Sequence, residues 1–291
     1  MQPLRATVLL FVFFIATLTL IPWQWSALKL GLPRRRTFPH SYHRWLCRLF
    51  GIRLTVIGKP VQDRGVLMVA NHTSYFDIIV LSGAAQVSFV AKKEVDGWPL
   101  FGTLARLQET LFIERDRRSQ TLTARDEIRK RLQQGDALVL FPEGTSNDGN
   151  HVLPFRSALM GAAESEVGVD AEGHVQHVPV QPVSVTYVGL HGVPMGRENR
   201  PLFAWYGDME LVPHLWEAVE AGPFDVVVEF HPPVTIDTAG GRKALAAAAE
   251  TLVREGQARA LAGAYWEAPK ASALERLRRR RAQAALAKAP A

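Results

Sequence analysis

His72 and Asp77 lie five residues apart in the string Asn71-His72-Thr73-Ser74-Tyr75-Phe76-Asp77, and together they can move a proton. A carboxylate that accepts a hydrogen bond from imidazole Nδ1 fixes the tautomer and leaves Nε2 free to take a proton. Such a base suits an alcohol, which is a poor nucleophile at neutral pH. The same spacing suits a plainer role, with His72 capping a helix and Asp77 accepting first-turn amides. A second string, Phe141-Pro142-Glu143-Gly144-Thr145, puts hydrogen-bonding groups in a turn behind a buried strand. Pro and Gly also dominate ordinary turns, so this string alone is weak evidence.

Both strings need strands to place them. The run Val66–Ala70 ends just before His72, at the strand end where open α/β sheets put their ligands. Further candidate strands are Arg53–Ile57, Val87–Ala91, Leu111–Ile113, Ala137–Phe141, Val178–Tyr187 and Val226–Phe230. Several are continuous apolar runs, as strands buried on both faces are. Helices are expected near Tyr75–Ser82, Leu100–Leu107, Ser119–Gln134, Ser157–Ser165 and Ala244–Arg259. Strand and helix in alternation predict an α/β domain with a mostly parallel central sheet flanked by helices.

Ala6 to Leu28 contains no charged residue. It is long enough for a short spanning helix with Trp23 and Trp25 at the interface, or for a membrane-associated helix that stays on one face. A cleaved signal peptide needs small residues at its cleavage site, and Pro22-Trp23-Gln24-Trp25 is a poor one. Arg34, Arg35, Arg36, Arg44 and Arg48 follow the segment, whereas only Arg5 and the amino terminus precede it. By the positive-inside rule the main domain faces the cytoplasm. Of the formal net charge of +6, the segment from Leu274 to Ala291 carries +5. A basic tail beside an apolar anchor suits anionic lipid, at about 1 kcal/mol per cation near the surface. A nucleic-acid protein more often carries its cations on the folded domain, and a solubilising tail is the bland alternative. The expected division is an anchor and basic juxtamembrane segment over 1–48, a catalytic domain over 49–268 and a basic tail over 269–291.

Cys47 is the sole cysteine, so neither a disulfide framework nor a cysteine-based zinc site can form. The metalloprotease, P-loop and serine-hydrolase signatures do not occur. No metal or cofactor is expected.

Five blocks in order resemble the glycerolipid acyltransferases, the family of 1-acyl-glycerol-3-phosphate acyltransferase. They are Asn71–Asp77, Phe89–Glu94 running on to Trp98–Gly102, Phe112-Ile113-Glu114-Arg115, Phe141–Thr145 and Val178–Val183. The resemblance covers about residues 50–235. It implies that His72 is the general base and Asp77 its orienter, acting on a lysolipid hydroxyl that attacks an acyl thioester carried by acyl-CoA or acyl carrier protein. It implies substrate contacts at Asn71, Ser74, Lys92, Arg115, Glu143, Gly144 and Thr145, with Arg115 gripping an anion. It also implies a bacterial inner-membrane location and no nucleic-acid partner. The chain departs from the family pattern at Ser146, where an arginine is usual. The continuation Ser146–Asn150, with Met195-Gly196-Arg197 and Leu211–Leu215, looks more like the bacterial lyso-ornithine lipid acyltransferases, which acylate a phosphorus-free aminolipid. Both acceptors stay open at this level. So do a tethered lipid-binding protein without turnover and a hydrolase that turns the same dyad on water.

Overall fold

The computed structural model describes residues 2–113, 118–169 and 175–266. Ten strands occur among them: β1 (Arg53–Ile57), β2 (Val66–Ala70), β3 (Ser88–Lys92), β4 (Leu111–Ile113), β5 (Ala137–Leu140), β6 (Glu166–Val169), β7 (Val175–His177), β8 (Val180–Leu190), β9 (Val193–Pro194) and β10 (Phe224–Phe230). The eight helices are α1 (Gln2–Lys29), α2 (Arg34–Phe50), α3 (Phe76–Ala84), α4 (Phe101–Leu107), α5 (Arg118–Gln133), α6 (Leu211–Ala221), α7 (Ile236–Ala239) and α8 (Arg242–Leu261).

The main sheet runs β1-β10-β8-β2-β5-β3-β4, and the short β9 pairs with β8. From β8 to β4 every pairing is parallel. β10 runs antiparallel to β8 and brings β1 with it, so the sheet is mixed but mostly parallel, as expected. β6 and β7 form a separate hairpin that the sequence reading did not anticipate.

Alternation along β2 shows how the two faces are filled. Val66, Met68 and Ala70 join a core with α1, α2, α3 and α6. Leu67 and Val69 point the other way, into a core with α5 and α8. All five are fully buried, which is why the run reads as continuously apolar. Burial of a side chain of this size stabilises by roughly 1.5–3 kcal/mol. α8 lies close against the sheet at Gly256, where a Cβ would fall 2.2 Å from Ser184 Oγ.

Three boundaries differ from expectation for clear reasons. β5 stops at Leu140, and Phe141 turns away to face His72. β8 starts only at Val180, because Pro179 has no N–H to give the ladder and its carbonyl accepts from Leu67. Ser157–Glu164 closes as a 3₁₀ helix rather than an α-helix. α2 and α6 were not anticipated.

Asn71 extends the β2–β8 pairing by one rung made from a side chain. Its Nδ2 donates to Val185 O and its Oδ1 accepts from Val185 N, both at 2.8 Å. Asn71 is fully buried. Asn71→Ala would strand both groups of Val185, at roughly 1–3 kcal/mol for each unpaired buried group. Urea denaturation should therefore show a loss of about 2–4 kcal/mol. A loss within error of zero would mean the rung is dispensable.

Candidate active site

Parallel pairing brings three strand ends to one edge of the sheet. β2 delivers Asn71 and His72, β5 delivers Phe141–Gly144, and β3 ends at Lys92. This is the edge at which such sheets hold ligands.

At the centre is Asp77, in the first turn of α3 and fully buried. The Nδ1–H of His72 donates to its Oδ2 at 2.8 Å. The same oxygen accepts from the amides of Thr73 at 2.7 Å and Ser74 at 2.9 Å. Its Oδ1 accepts from the Tyr187 hydroxyl at 2.8 Å. The carboxylate thus takes the imidazole N–H that the spacing allows, while the capping arrangement is absent: the amides it accepts precede α3, and no side chain caps that helix. Hydrogen bonds to an ionised group contribute about 1.5–3 kcal/mol each, and the positive end of α3 adds to them. Burial, then the negative charge of Asp77, holds the Tyr187 phenol far above its usual range, so it remains a donor.

The imidazole ring is held on its face as well. Phe141 stacks on His72 with ring centroids 4.0 Å apart and planes 17° apart. Phe89 lies parallel to Phe141 in turn, at 6.4 Å. Among the described residues nothing bonds His72 Nε2, and the side chain is 22% exposed.

Glu143 is 1% exposed. Its Oε2 accepts from Asn147 Nδ2 at 2.8 Å and its Oε1 from His72 N at 3.4 Å. Asn147 N donates to His72 O at 3.2 Å. Glu143 and Asn147 therefore grip the backbone of His72 from both sides. Burial pushes the Glu143 carboxyl up to about 8, opposed by the hydrogen bonds from Asn147, His72 N and Leu153 N.

The other expected site residues divide by exposure. Lys92 and Thr145 are exposed. Ser74 is fully buried, and its Oγ has no partner among the described residues. Asn71 is committed to Val185. Gly144 takes φ +78°, which only glycine adopts cheaply. Arg115 and the basic tail from Leu274 lie outside the described residues.

Four contributors were given no role by the sequence reading. Tyr187 reaches Asp77 from β8, and Asn147 pairs with Glu143 from the following loop. Trp205 donates its N–H to Thr73 O at 2.9 Å, and its carbonyl accepts from Ser146 Oγ. Arg156 folds over the Pro142-Glu143-Gly144 turn, its backbone N–H on Pro142 O. Its guanidinium lies 3.4 Å from where a Cβ on Gly144 would sit.

A mainly apolar groove of about 190 Å³ runs between α1, α2, α3, α4 and β3. Phe13, Leu20 and Ile21 line it from α1, and Tyr75 and Phe89 line it nearest the site. The Phe89–Phe141–His72 stack connects this groove to the imidazole.

Comparison with known proteins gives the same picture. The Acyltransferase family model matches residues 53–186. A lyso-ornithine lipid O-acyltransferase of Brucella abortus (strain 2308) is 49% identical over 238 residues, covering 82% of this chain and 88% of the relative. A second protein of that name, from Rhizobium meliloti (strain 1021), is 44% identical over 79% of this chain and 77% of its own length. The crystal structure of the 1-acyl-sn-glycerophosphate acyltransferase PlsC from Thermotoga maritima superposes with a TM-score of 0.63 at 25% identity, covering 89% of this chain and 98% of that one. With a relative this similar across most of its length, the chain belongs to the acyltransferase family and is an enzyme of it.

Proposed function

We propose that this enzyme moves a fatty acyl chain from an acyl thioester to the hydroxyl of lyso-ornithine lipid. One observation carries the chemistry: a buried carboxylate holds His72 through Nδ1 and leaves Nε2 unbonded, with Phe141 and Phe89 stacked between the imidazole and an apolar groove. His72 Nε2 takes the acceptor's hydroxyl proton as its oxygen bonds to the thioester carbon. The carbon–sulfur bond then breaks, and the leaving thiolate takes the proton back from the imidazolium. Proton and charge balance without an acyl-enzyme. Asp77 orients the ring and stabilises its transient charge. Burial raises the Glu143 carboxyl and so favours the form that adds no second negative charge beside the site. The groove holds an acyl chain, and its apolar walls keep water from the thioester. The donor is carried by acyl carrier protein or by coenzyme A.

The acceptor reading rests on the loop after Gly144. Ser146 stands where the family's arginine is usual, and its hydroxyl is bonded to the Trp205 carbonyl. The cation at this turn is Arg156, which comes from further along the chain. A guanidinium binds an amino-acid carboxylate bidentately, and lyso-ornithine lipid offers one. The relatives from Brucella abortus and Rhizobium meliloti carry that substrate in their names.

For its location we favour one leaflet on the cytoplasmic side. α1 buries Ala6, Phe13, Thr17, Gln24 and Ala27 against the domain, from one end to the other. A helix packed along its whole length cannot leave the domain behind to cross a bilayer. Arg34, Arg35 and Arg36 follow it, as on a cytoplasmic face.

The test supplies a labelled acyl thioester with lyso-ornithine lipid, with lysophosphatidic acid, and with neither. Thioester loss should depend on lyso-ornithine lipid, and Arg156→Gln should raise KM for it by about tenfold, as loss of a charge-assisted contact does. Equal thioester loss without acceptor would make the protein a hydrolase. Transfer to lysophosphatidic acid alone would overturn the acceptor reading.

In the dyad, His72→Ala should lower kcat/KM by about 10²–10⁴ with the fold intact. Tyr187→Phe removes only one bond to Asp77, so kcat should fall about fivefold with KM unchanged. A Tyr187→Phe enzyme with normal kcat would show that Asp77 needs no such support.

Glu143 gives a pH signature. Its folded pKa, about 8, stands above the ordinary 4.5 of such a carboxyl, so its protonated form contributes stability that is lost as pH rises between the two. Thermal melts of the wild type and Glu143→Gln should therefore converge, or cross in favour of the variant, between pH 5 and pH 8.5. A constant difference in Tm across that window would contradict a neutral Glu143.

A further inference from the structure

The outward side of α1 carries Leu4, Val8, Phe11, Ile15, Leu18 and Trp25, all exposed. Their spacing of three, four and seven residues keeps them on one stripe, opposite the buried residues of the same helix. A helix laid on a soluble domain normally shows water a polar face, so this stripe needs an apolar partner.

α6 lies alongside this stripe. Arg5 Nη1 of α1 donates to Val219 O near the end of α6, at 3.2 Å. Leu211, at the start of α6, lines the same groove as Phe13 and Thr17. The two helices therefore run side by side in opposite directions. Both bury their inner faces in one core, α1 through Ala6 and Phe13, and α6 through Leu215, Ala218 and Val219. Their outer faces consequently share one side of the molecule. At the start of α6 that outer face carries three apolar side chains among the exposed carboxylates Asp208, Glu210 and Glu217: Val212 is 72% exposed, and Met209 and Trp216 are each 37% exposed. The Trp216 indole N–H is satisfied by Glu220 at 3.1 Å, so the ring can lie at an interface with no unpaired donor.

We infer that α6 is a second membrane-inserted element, with Met209, Val212 and Trp216 entering the same lipid monolayer as the outward stripe of α1. This rests on the reading above that α1 lies in one leaflet. The occupant is lipid because the patch continues the α1 stripe and because Lys29, seated over the Trp25 ring at 3.9 Å, and exposed Arg34 follow at its far end. Leu211 then sets the acyl groove beside the leaflet, where a chain enters sideways without crossing water. The link to chemistry is short: Tyr75 OH pairs with His214 Nδ1 of α6 at 2.9 Å, and Tyr75 follows Ser74 directly.

Depth-dependent quenching tests this on the full chain. The native thiol, Cys47, is buried and pushed up to about 12, so it stays unlabelled. Val8→Cys, Val212→Cys and Glu255→Cys would each carry an environment-sensitive fluorophore. Each is mixed with phosphatidylcholine–phosphatidylglycerol vesicles bearing quenchers on the acyl chains. Quenching at 8 and 212, and not at 255, is the expected result. Quenching at 8 alone would overturn the inference and leave the α1 reading standing. No quenching at 8 would overturn the α1 reading and with it this one. A label at 212 that becomes shielded with rising protein concentration, without vesicles, would assign the face to a second copy and overturn the inference. As a second readout, Val212→Glu with Trp216→Glu should weaken vesicle partitioning by about tenfold or more. Unchanged partitioning would count against it equally.

Discussion

A carboxylate shut away from water is costly unless every lone pair is used, and Asp77 is the point on which this active site turns. Four donors meet it from two parts of the chain. The turn after β2 provides two amides and the imidazole, and β8 provides Tyr187. To satisfy the carboxylate the chain must leave β2, turn within a few residues and start α3 with the aspartate in its first turn. The loop after β2 is thus shaped by the need to satisfy one buried charge. That same charge holds the imidazole by Nδ1, the arrangement that the proposed proton transfer requires.

Around this centre the structure braces the backbone of His72 from three sides. Asn71 rivets the residue before it to β8, Glu143 and Asn147 hold its amide and carbonyl, and Trp205 holds the carbonyl of Thr73. Phe141 then fixes the plane of the ring. Preorganisation of this kind means little has to move when the proton does. Gly144 and Arg156 show the same economy of space, since a side chain at 144 would press on the guanidinium.

Much of this was legible in the chain. β1, β2 and β4 have the bounds expected of them; β2, buried on both faces, leaves little room for another reading, whereas β1 and β4 are half-buried edge strands. The His72–Asp77 pair was legible because partner and base are five residues apart. Tyr187 was not, since a hydrogen bond across 110 positions leaves no local pattern. Glu143 was expected to line the acceptor site, but it lies buried on the backbone of His72, a placement the string Phe-Pro-Glu-Gly-Thr cannot reveal. Arg156 was hidden because the turn draws its cation from a residue well past the string. α2 and α6 escaped notice although both are amphipathic, because each carries a proline inside it, Pro39 and Pro213, where a helix is usually taken to break.

The proposed chemistry requires that Asp77 hold His72 as the Nδ1–H tautomer with Nε2 free. Nitrogen-15 NMR of histidine-labelled protein, with His72 assigned by comparison with His72→Gln, reports the tautomer directly. The neutral ring is expected to carry its proton on Nδ1 and none on Nε2. A neutral ring protonated at Nε2 would contradict it, because such an imidazole could not accept the acceptor's proton at that atom.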